Sequence, residues 1–219
     1  MKFKIDHDYH IHSQLSSCSR DPEQTPDRIL QYAKENGLSR ICLTDHYWDS
    51  AVPGASNWYQ PQNFDHISQS KPLPQAEGID FMFGCETDMD RFMTIGCPES
   101  RYDDFSFIII PTTHLHMTGF TISEEDAADM GRRAKLWVDR MDALLDQPLP
   151  FHKIGIAHLG ANGGSSGAIC SANGVGFMPM GAYFTPVDDI ISSERDTKIS
   201  AMIAAAADAG CNTLVVSGS

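Results

Sequence analysis

A short segment near the start of the chain, Asp8-Tyr9-His10-Ile11-His12, places an acidic residue and two histidines at alternating positions. In a β-strand, side chains two residues apart point to the same face, so Asp8, His10 and His12 would line one side of the strand. Two adjacent imidazoles at a strand end provide nitrogen ligands for a transition metal. A short H-x-H match also fits a solvated strand edge, so this segment alone leaves both interpretations open.

Residues that can bind metals recur where later apolar segments end. They are Asp45 and His46, Glu86, His114, and His158. In parallel barrels the carboxyl ends of the strands form the face on which active sites are built. Structural or solvated histidines have no reason to recur at successive strand ends. We therefore expect these side chains to form one cluster.

The donor types in this cluster indicate which ions it would bind. Imidazole nitrogen combined with carboxylate oxygen suits Zn²⁺, Mn²⁺ or Fe²⁺ better than Ca²⁺ or Mg²⁺. The candidates outnumber the four ligands of one tetrahedral zinc. The sequence therefore predicts more than one ion, with Glu86 as the shared ligand.

An alternation of strand and helix patterns would position these residues. Strands are predicted at 3–12, 40–44, 79–86, 105–113, 152–157 and 212–217. Helices are predicted from Pro26 to Asn36 with Thr25 as the N-cap, from Ser123 to about Leu145, and over 197–209. Residues 47–75 predict a long irregular loop, and 160–176 a glycine- and serine-rich active-site loop. The pattern indicates an α/β fold in one domain that spans 1–219.

The composition limits the class of protein. The chain has 219 residues and a net charge of −13, which argues against binding to nucleic acid or an anionic membrane through a basic surface. Its six cysteines include no C-x-x-C pair, so a zinc finger is not expected. We expect neither a signal peptide nor a transmembrane segment, and a reducing cytoplasm is the simplest compartment.

Taken in order, the motifs resemble those of the PHP (polymerase and histidinol phosphatase) family. They are Asp8-x-His10-x-His12-Ser13, Thr44-Asp45-His46, Gly84-Cys85-Glu86, Thr113-His114 and Ala157-His158-Leu159. The resemblance covers nearly the whole chain. It implies a distorted seven-stranded (β/α) barrel, two or three divalent metals (Zn, Mn or Fe) and hydrolysis of phosphate esters.

The resemblance also implies a distribution of ligands. It gives His10, His12 and Glu86 to one metal, His46 to a second, and Glu86, His114 and His158 to a third. Asp8 and Asp45 would support the ligands, because a carboxylate that bonds to a ligand histidine fixes its orientation and tautomer.

Two features depart from the family pattern. Many members have an Asp or His a few residues after the H-x-H motif, where this chain has Ser17 and Cys18. Cys18, Asp21 or a water would then replace that ligand. The family also closes with Asp-x-His, and this chain ends at Ser217-Gly218-Ser219 without it. We expect a C-terminally incomplete domain that lacks its last βα unit or, in a rival alignment, one cut just before the motif.

The leading hypothesis is a metal-dependent phosphoesterase in which a metal-activated hydroxide attacks the phosphorus. His116 would contact substrate or protonate the leaving group, and Arg20 and Lys153 are candidate phosphate contacts. A small phosphate monoester, as in histidinol phosphatases, is favoured over nucleic acid because the chain is acidic. The choice among histidinol phosphate, nucleotides and sugar phosphates stays open, as does the oligomeric state.

Two alternatives belong to other classes. A non-catalytic metal-binding or scaffold domain with an incomplete site would explain both departures. An amidohydrolase acting on C–N bonds also uses H-x-H on its first strand. That class tends to need a carboxylated Lys or a further His at the fourth strand, where this chain has His114 and no Lys. We rank it lowest.

Overall fold

The computed structural model of the chain describes residues 6–19, 21–111 and 114–157, which belong to one compact unit. Seven strands occur in this part. They are β1 (His7–Ile11), β2 (Arg40–Leu43), β3 (His46–Tyr47), β4 (Asp80–Phe83), β5 (Cys85–Thr87), β6 (Ile108–Ile109) and β7 (Ile154–Gly155). One sheet has the order β1-β2-β4 and the other β3-β5-β6-β7. Every pairing in both sheets is parallel, as the strand and helix alternation predicted.

Four α-helices lie in the described part of the chain. They are α1 (Pro26–Asn36), α2 (Phe64–Ile67), α3 (Glu124–Ala127) and α4 (Met130–Leu145). Three 3₁₀ turns occur at Ser68–Ser70, Glu99–Asp104 and Phe151–Lys153. No helix among the described residues combines the length and apolar character needed to cross a bilayer.

Helix α1 forms where the sequence predicted it, because both of its ends are capped. The Thr25 side chain accepts a hydrogen bond from the backbone of Arg28 at 3.2 Å, and Pro26 occupies the first helical position. Gly37 ends the helix in the left-handed conformation, with φ of 65°. The apolar face of α1 packs on the first sheet, where Ile29 and Ala33 belong to one buried cluster with strand residues.

The bounds of two predicted strands differ from the structure. β2 ends at Leu43, one residue before the end predicted for 40–44, and the segment 79–86 divides into β4 and β5 at Gly84. Gly84 passes so close to its neighbours that an added Cβ would overlap the backbone oxygen of Phe107 and lie 2.7 Å from Sγ of Cys42. Beyond these points the chain continues into the second sheet, where β3 carries His46 and β5 carries Glu86.

The predicted single helix from Ser123 to Leu145 is wrong, because the structure divides it into α3 and α4. The backbone at Asp129 is extended, with φ of −120° and ψ of 117°, and its side chain accepts from the backbone of Arg132 to cap α4. Ser123 caps α3 in the same way. An Asp that caps a second helix start competes with continuation of the first.

The segment 47–75 is a loop for most of its length, but α2 and a 3₁₀ turn interrupt it. Trp48 and Tyr59 are buried in it and pack against Phe120. These aromatic side chains attach the loop to the rest of the unit.

The α/β class with parallel sheets is confirmed. The predicted loop at 160–176, the helix at 197–209 and the strand at 212–217 lie outside the described residues. The closed barrel, the single domain over 1–219 and the missing βα unit therefore stay predictions.

Candidate metal centre

Three imidazoles converge on one carboxylate oxygen. Oε2 of Glu86 lies 3.0 Å from Nε2 of His10, 3.1 Å from Nε2 of His12 and 3.4 Å from Nδ1 of His46. The rings of His12 and His46 are stacked, with centroids 4.5 Å apart. The structure thus brings together four of the residues that the sequence predicted as ligands.

The parallel pairing of the strands explains this convergence. His46 on β3 is the direct partner of Glu86 on β5 in the parallel register. His10 lies near the carboxyl end of β1 and His12 directly follows it. The carboxyl ends of parallel strands meet at one edge, so ligands separated by up to 76 residues in sequence become neighbours.

The environment holds these groups in the protonation states that bind metals. Burial would raise the pKa of the Glu86 carboxyl, but the surrounding imidazoles, His46 foremost, outweigh it and keep that pKa well below its usual range. Burial also lowers the pKa of His46 well below its usual value, against the opposing effect of Glu86. A carboxylate and a neutral imidazole at neutral pH are the forms that coordinate divalent ions.

Asp45 supports the ligand loop. Its two oxygens accept hydrogen bonds from the backbone and hydroxyl of Ser13, at 2.6 and 2.7 Å, and from the hydroxyl of Ser16 at 2.8 Å. Because the hydroxyl proton of Ser16 goes to Asp45, its oxygen accepts from Nδ1 of His12 at 3.2 Å. That bond places the proton of His12 on Nδ1 and leaves Nε2 for a metal.

Asp8 is fully buried, and its Oδ1 accepts from the backbone of His10 at 3.1 Å. It thus holds the backbone of β1 at the position that carries the first ligand. The supporting role that the sequence predicted for Asp8 stays a prediction.

The sequence analysis missed Asp88. This buried carboxylate lies just beyond β5, and its Oδ2 accepts from Nδ1 of His114 at 2.9 Å. Its Oδ1 lies 3.6 Å from the guanidinium of Arg140, a fully buried side chain of α4. The hydroxyl of Tyr59 lies 3.4 Å from Oδ2 of Asp88 and 3.4 Å from Nδ1 of His46. Tyr59 therefore connects the pair of Asp88 and His114 with the cluster around Glu86. The signal in sequence was the position of Asp88 two residues after Glu86, a spacing that puts both side chains on one side of an extended chain.

His114 and His116 lie side by side, with ring centroids 5.2 Å apart. Burial lowers the pKa of His114, but the charge and hydrogen bond of Asp88 outweigh it, so the pKa is raised above its usual value. His116 is exposed. Exposure next to a candidate ligand suits the substrate contact predicted for His116, which stays a prediction.

The remaining predicted residues differ in where the structure places them. Cys18 lies in the cluster, where its Sγ and one ring nitrogen each of His12 and His46 are within 4.8 Å of one another. Although Cys18 is exposed as a residue, partial desolvation of its thiol, with the charges of Glu86 and Asp45, raises the pKa of that thiol to about 11. Asp21 is exposed and caps a local turn, with its carboxylate accepting from the backbone of Glu23.

Lys153 precedes β7, at the opposite edge from the ligand cluster, where its Nζ donates to the backbone oxygen of Tyr102 at 2.5 Å. This position does not suit a phosphate contact, so the proposed site does not include Lys153. Arg20 and His158 lie outside the described residues.

The donor atoms that are present fit a divalent ion. Two groups of three ligand atoms occur among the described residues, each with its members within 4.8 Å of one another. One group is His10, His12 and Glu86, and the other is His12, Cys18 and His46. Nitrogen, carboxylate oxygen and sulfur donors at this density are typical of zinc and related transition metals.

Comparison of the sequence with protein families gives a match to the PHP domain over residues 8–144. The chain belongs to the PHP family. The matched segment contains every described residue of the candidate centre, from Asp8 to Arg140. Assignment to the PHP family confirms the resemblance found in the ordered motifs.

Among solved structures, the chain is similar to histidinol phosphate phosphatase from Lactococcus lactis subsp. lactis Il1403, which was determined with zinc, L-histidinol and phosphate. The two share 22% sequence identity with a TM-score of 0.44, and the similarity covers 70% of this chain and 57% of that one. This chain thus matches little more than half the length of that phosphatase. No protein with a curated description matches this sequence.

Proposed function

We propose that this PHP-family chain is a metal-dependent phosphoesterase that hydrolyses a small phosphate monoester. The observation that carries the proposal is the convergence of His10, His12 and His46 on Oε2 of Glu86, at 3.0–3.4 Å. The family is one of phosphoesterases, and this cluster provides the ligands that such a reaction needs.

Under this proposal the described ligands divide between adjacent ions. His10, His12 and Glu86 would hold a first ion, His46 would contribute to a second, and His114 would join Glu86 and His158 at a third. Zinc, manganese or iron bound there would neutralise phosphate charge and lower the pKa of a water molecule, so that a nucleophile exists near neutral pH.

The protein's own side chains would prepare the centre for this chemistry. Ser16 and Asp88 fix the tautomers of His12 and His114 by hydrogen bonds to Nδ1, so each ring presents Nε2. Glu86 supplies a buried negative charge between the imidazoles, and burial keeps His46 neutral. His116, which is exposed beside His114, is proposed to contact the substrate or protonate its leaving group.

The substrate proposed is small because the chain carries a net charge of −13, which would repel a nucleic acid backbone. We also propose that the two parallel sheets are parts of the distorted seven-stranded barrel of this family, in one domain over 1–219. Within the described residues, no helix separates β2 from β3 or β4 from β5, and this supports a continuous sheet of strands.

A panel of phosphomonoesters tests the proposal. Protein loaded with zinc or manganese is assayed on histidinol phosphate, nucleoside monophosphates, sugar phosphates and p-nitrophenyl phosphate. We expect the wild-type protein to release phosphate from at least one of these esters. The rate should fall by at least about 100-fold in His10→Ala, because losing a metal ligand costs more than losing a residue that only hydrogen-bonds to a ligand. His152→Ala is the matched control, because His152 is exposed on a turn outside the cluster.

Metal-loaded protein that releases no phosphate from any of these esters would contradict the catalytic proposal. That result, with metal still bound, would favour the alternative of a metal-binding scaffold domain.

A further inference from the structure

We propose that Cys18 is a thiolate ligand of the second metal ion, which makes this part of the centre a mixed sulfur and nitrogen site selective for zinc. The inference rests on the proposed function, because it concerns an ion of the same centre. It goes further in naming the ligand that replaces the usual Asp or His after the H-x-H motif, and in naming the ion.

Three side chains beside Glu86 form a cluster of sulfur and nitrogen donors. The Sγ of Cys18 and one ring nitrogen each of His12 and His46 lie within 4.8 Å of one another, a separation that one ion bonded to all three would span. The carboxylate of Glu86 adjoins the same space, with Oε2 3.4 Å from Nδ1 of His46. Cys18 and His46 would bind the second ion from this cluster, and His12, which the proposed function gives to the first ion, lies beside them.

The loop that presents Cys18 is held from two sides. On one side, backbone hydrogen bonds join Ser16 to Ser13 and Ser19 to Ser16, and the hydroxyl of Ser16 donates to Asp45. This ties the turn that contains Cys18 to the segment that carries His46. The thiol is therefore positioned by the same contacts that support the histidine ligands.

On the other side, Gln62 connects the loop to the long aromatic segment. Its Oε1 accepts from the backbone of Ser17 at 2.8 Å, and its Nε2 donates to the backbone oxygen of Trp58 at 3.0 Å. Gln62 is buried, with 1% of its surface exposed. A buried amide bonded at both ends fixes the backbone directly before Cys18.

Exposure separates Cys18 from the other thiols that the structure describes. Cys42, Cys85 and Cys97 are buried, and the last two belong to an apolar cluster, where cysteine acts as a small hydrophobic residue. Cys18 is exposed at the edge of the cluster. Asp21, the other candidate replacement ligand, is exposed and its carboxylate is engaged by the backbone of Glu23.

A thiolate changes which ion the site prefers. Sulfur is a soft donor that binds zinc strongly, whereas manganese and magnesium prefer oxygen ligands. We therefore expect the second position to retain zinc in competition with manganese. Hydrogen peroxide would oxidise the Cys18 thiolate to a sulfenate, with water as the other product, and loss of the thiolate should release that ion.

Cobalt substitution tests the inference with a readout other than activity. Cobalt(II) is titrated into metal-free full-length protein, and bound cobalt is measured together with the near-ultraviolet charge-transfer absorption that a thiolate–cobalt bond produces. Wild-type protein should bind at least two cobalt ions and show the band. Cys18→Ser should lose the band and bind the second ion at least about tenfold more weakly.

Two further variants control for changes in the fold. Cys42→Ala removes a buried thiol of β2 and should keep the band. Cys18→Asp restores an ionisable ligand of a common kind, so it should recover the second ion without the band. Far-ultraviolet circular dichroism confirms that each variant is folded.

Each outcome decides between the two proposals. Cobalt bound without a charge-transfer band, or a band that survives in Cys18→Ser, overturns the assignment of Cys18 and leaves the metal-dependent function standing. Protein that binds no cobalt overturns both. A band that is present in wild type, retained in Cys42→Ala and absent in Cys18→Ser supports the thiolate ligand.

Discussion

The carboxylate of Asp88 accepts a hydrogen bond from Nδ1 of His114 at 2.9 Å. The proton of the ring is thereby held on Nδ1, and Nε2 is the nitrogen left to bind a metal. Asp88 is fully buried and its other oxygen lies 3.6 Å from the guanidinium of Arg140. A side chain of α4 thus reaches a candidate metal ligand through one carboxylate.

Asp88→Asn should weaken metal binding at His114. The amide keeps the shape of the side chain but removes the charge that makes the imidazole a stronger ligand. Loss of such partners costs about 10–100-fold in metal affinity. Competition with a chelator measures this affinity. Asp142→Asn, an exposed change on α4, is the control and should leave the affinity unchanged. Equal affinities in wild type and Asp88→Asn would contradict the positioning role.

The same pair predicts how the stability of metal-free protein depends on pH. Burial opposes the charge of His114, but Asp88 outweighs it, so the pKa in the folded state lies above the usual 6.5. The contribution to stability is therefore complete below about pH 6.5 and is lost as the pH rises through the raised pKa.

Urea unfolding in the presence of a chelator, at pH 6 and at pH 8, measures this effect. Wild type should lose more stability between the two values than His114→Gln, whose side chain does not titrate. Identical losses in the two proteins would show that the pair adds no stability that depends on pH.

Arg140 should be essential for the fold. Its guanidinium donates to the backbone oxygens of Met89, Asp90 and Thr121, at 2.6, 3.0 and 3.3 Å. Removing it in Arg140→Met leaves these oxygens and the carboxylate of Asp88 buried without their cation. Breaking a buried pair from one side costs about 3–5 kcal/mol of unfolding free energy.

The matched control is Arg132→Met on the same helix. Arg132 is about half exposed and pairs with Glu125 at the surface, where an ion pair contributes little. Chemical denaturation should therefore show a large loss for the first variant and little change for the second. A small loss of unfolding free energy in Arg140→Met would mean that the hydrogen bonds from Arg140 to the segment after β5 are not important for stability.

Gly84→Ala should distort the junction between β4 and β5. The added methyl group would overlap the backbone oxygen of Phe107, which cannot move without shifting β6. Overpacking of this kind costs about 1–3 kcal/mol. The variant should unfold at lower urea concentration and bind metal more weakly, because Glu86 lies two residues on. Unchanged stability and metal binding would show that the junction has room for a side chain.

The clustering of the side chains around Glu86 was predictable because their positions follow a local pattern in the sequence. His10, His12, His46 and Glu86 stand at the ends of apolar segments, and parallel strands bring such ends to one edge. The same reasoning gave α1 correctly, since Thr25, Pro26 and Gly37 mark its ends locally. These features depend only on neighbouring residues and the period of the strand.

Features that depend on contacts distant in sequence were not predictable in this way. Asp88 lies 26 residues from His114, and Arg140 reaches it from α4, so neither role shows in a local pattern. The break at Gly84 follows from the approach of Phe107. The break before α4 is a local feature instead, because Asp129 caps that helix through the backbone of Arg132. Propensity alone favours continuing such segments.

Metal binding by the cluster around Glu86 is tested by elemental analysis of wild-type protein purified without a histidine tag, beside Glu86→Gln. We expect about two or three equivalents of zinc, manganese or iron per wild-type chain, and less than about one in the variant, because Glu86 adjoins all three imidazoles. Wild-type protein without bound transition metal, or a variant that retains the full amount, would contradict metal binding by this cluster.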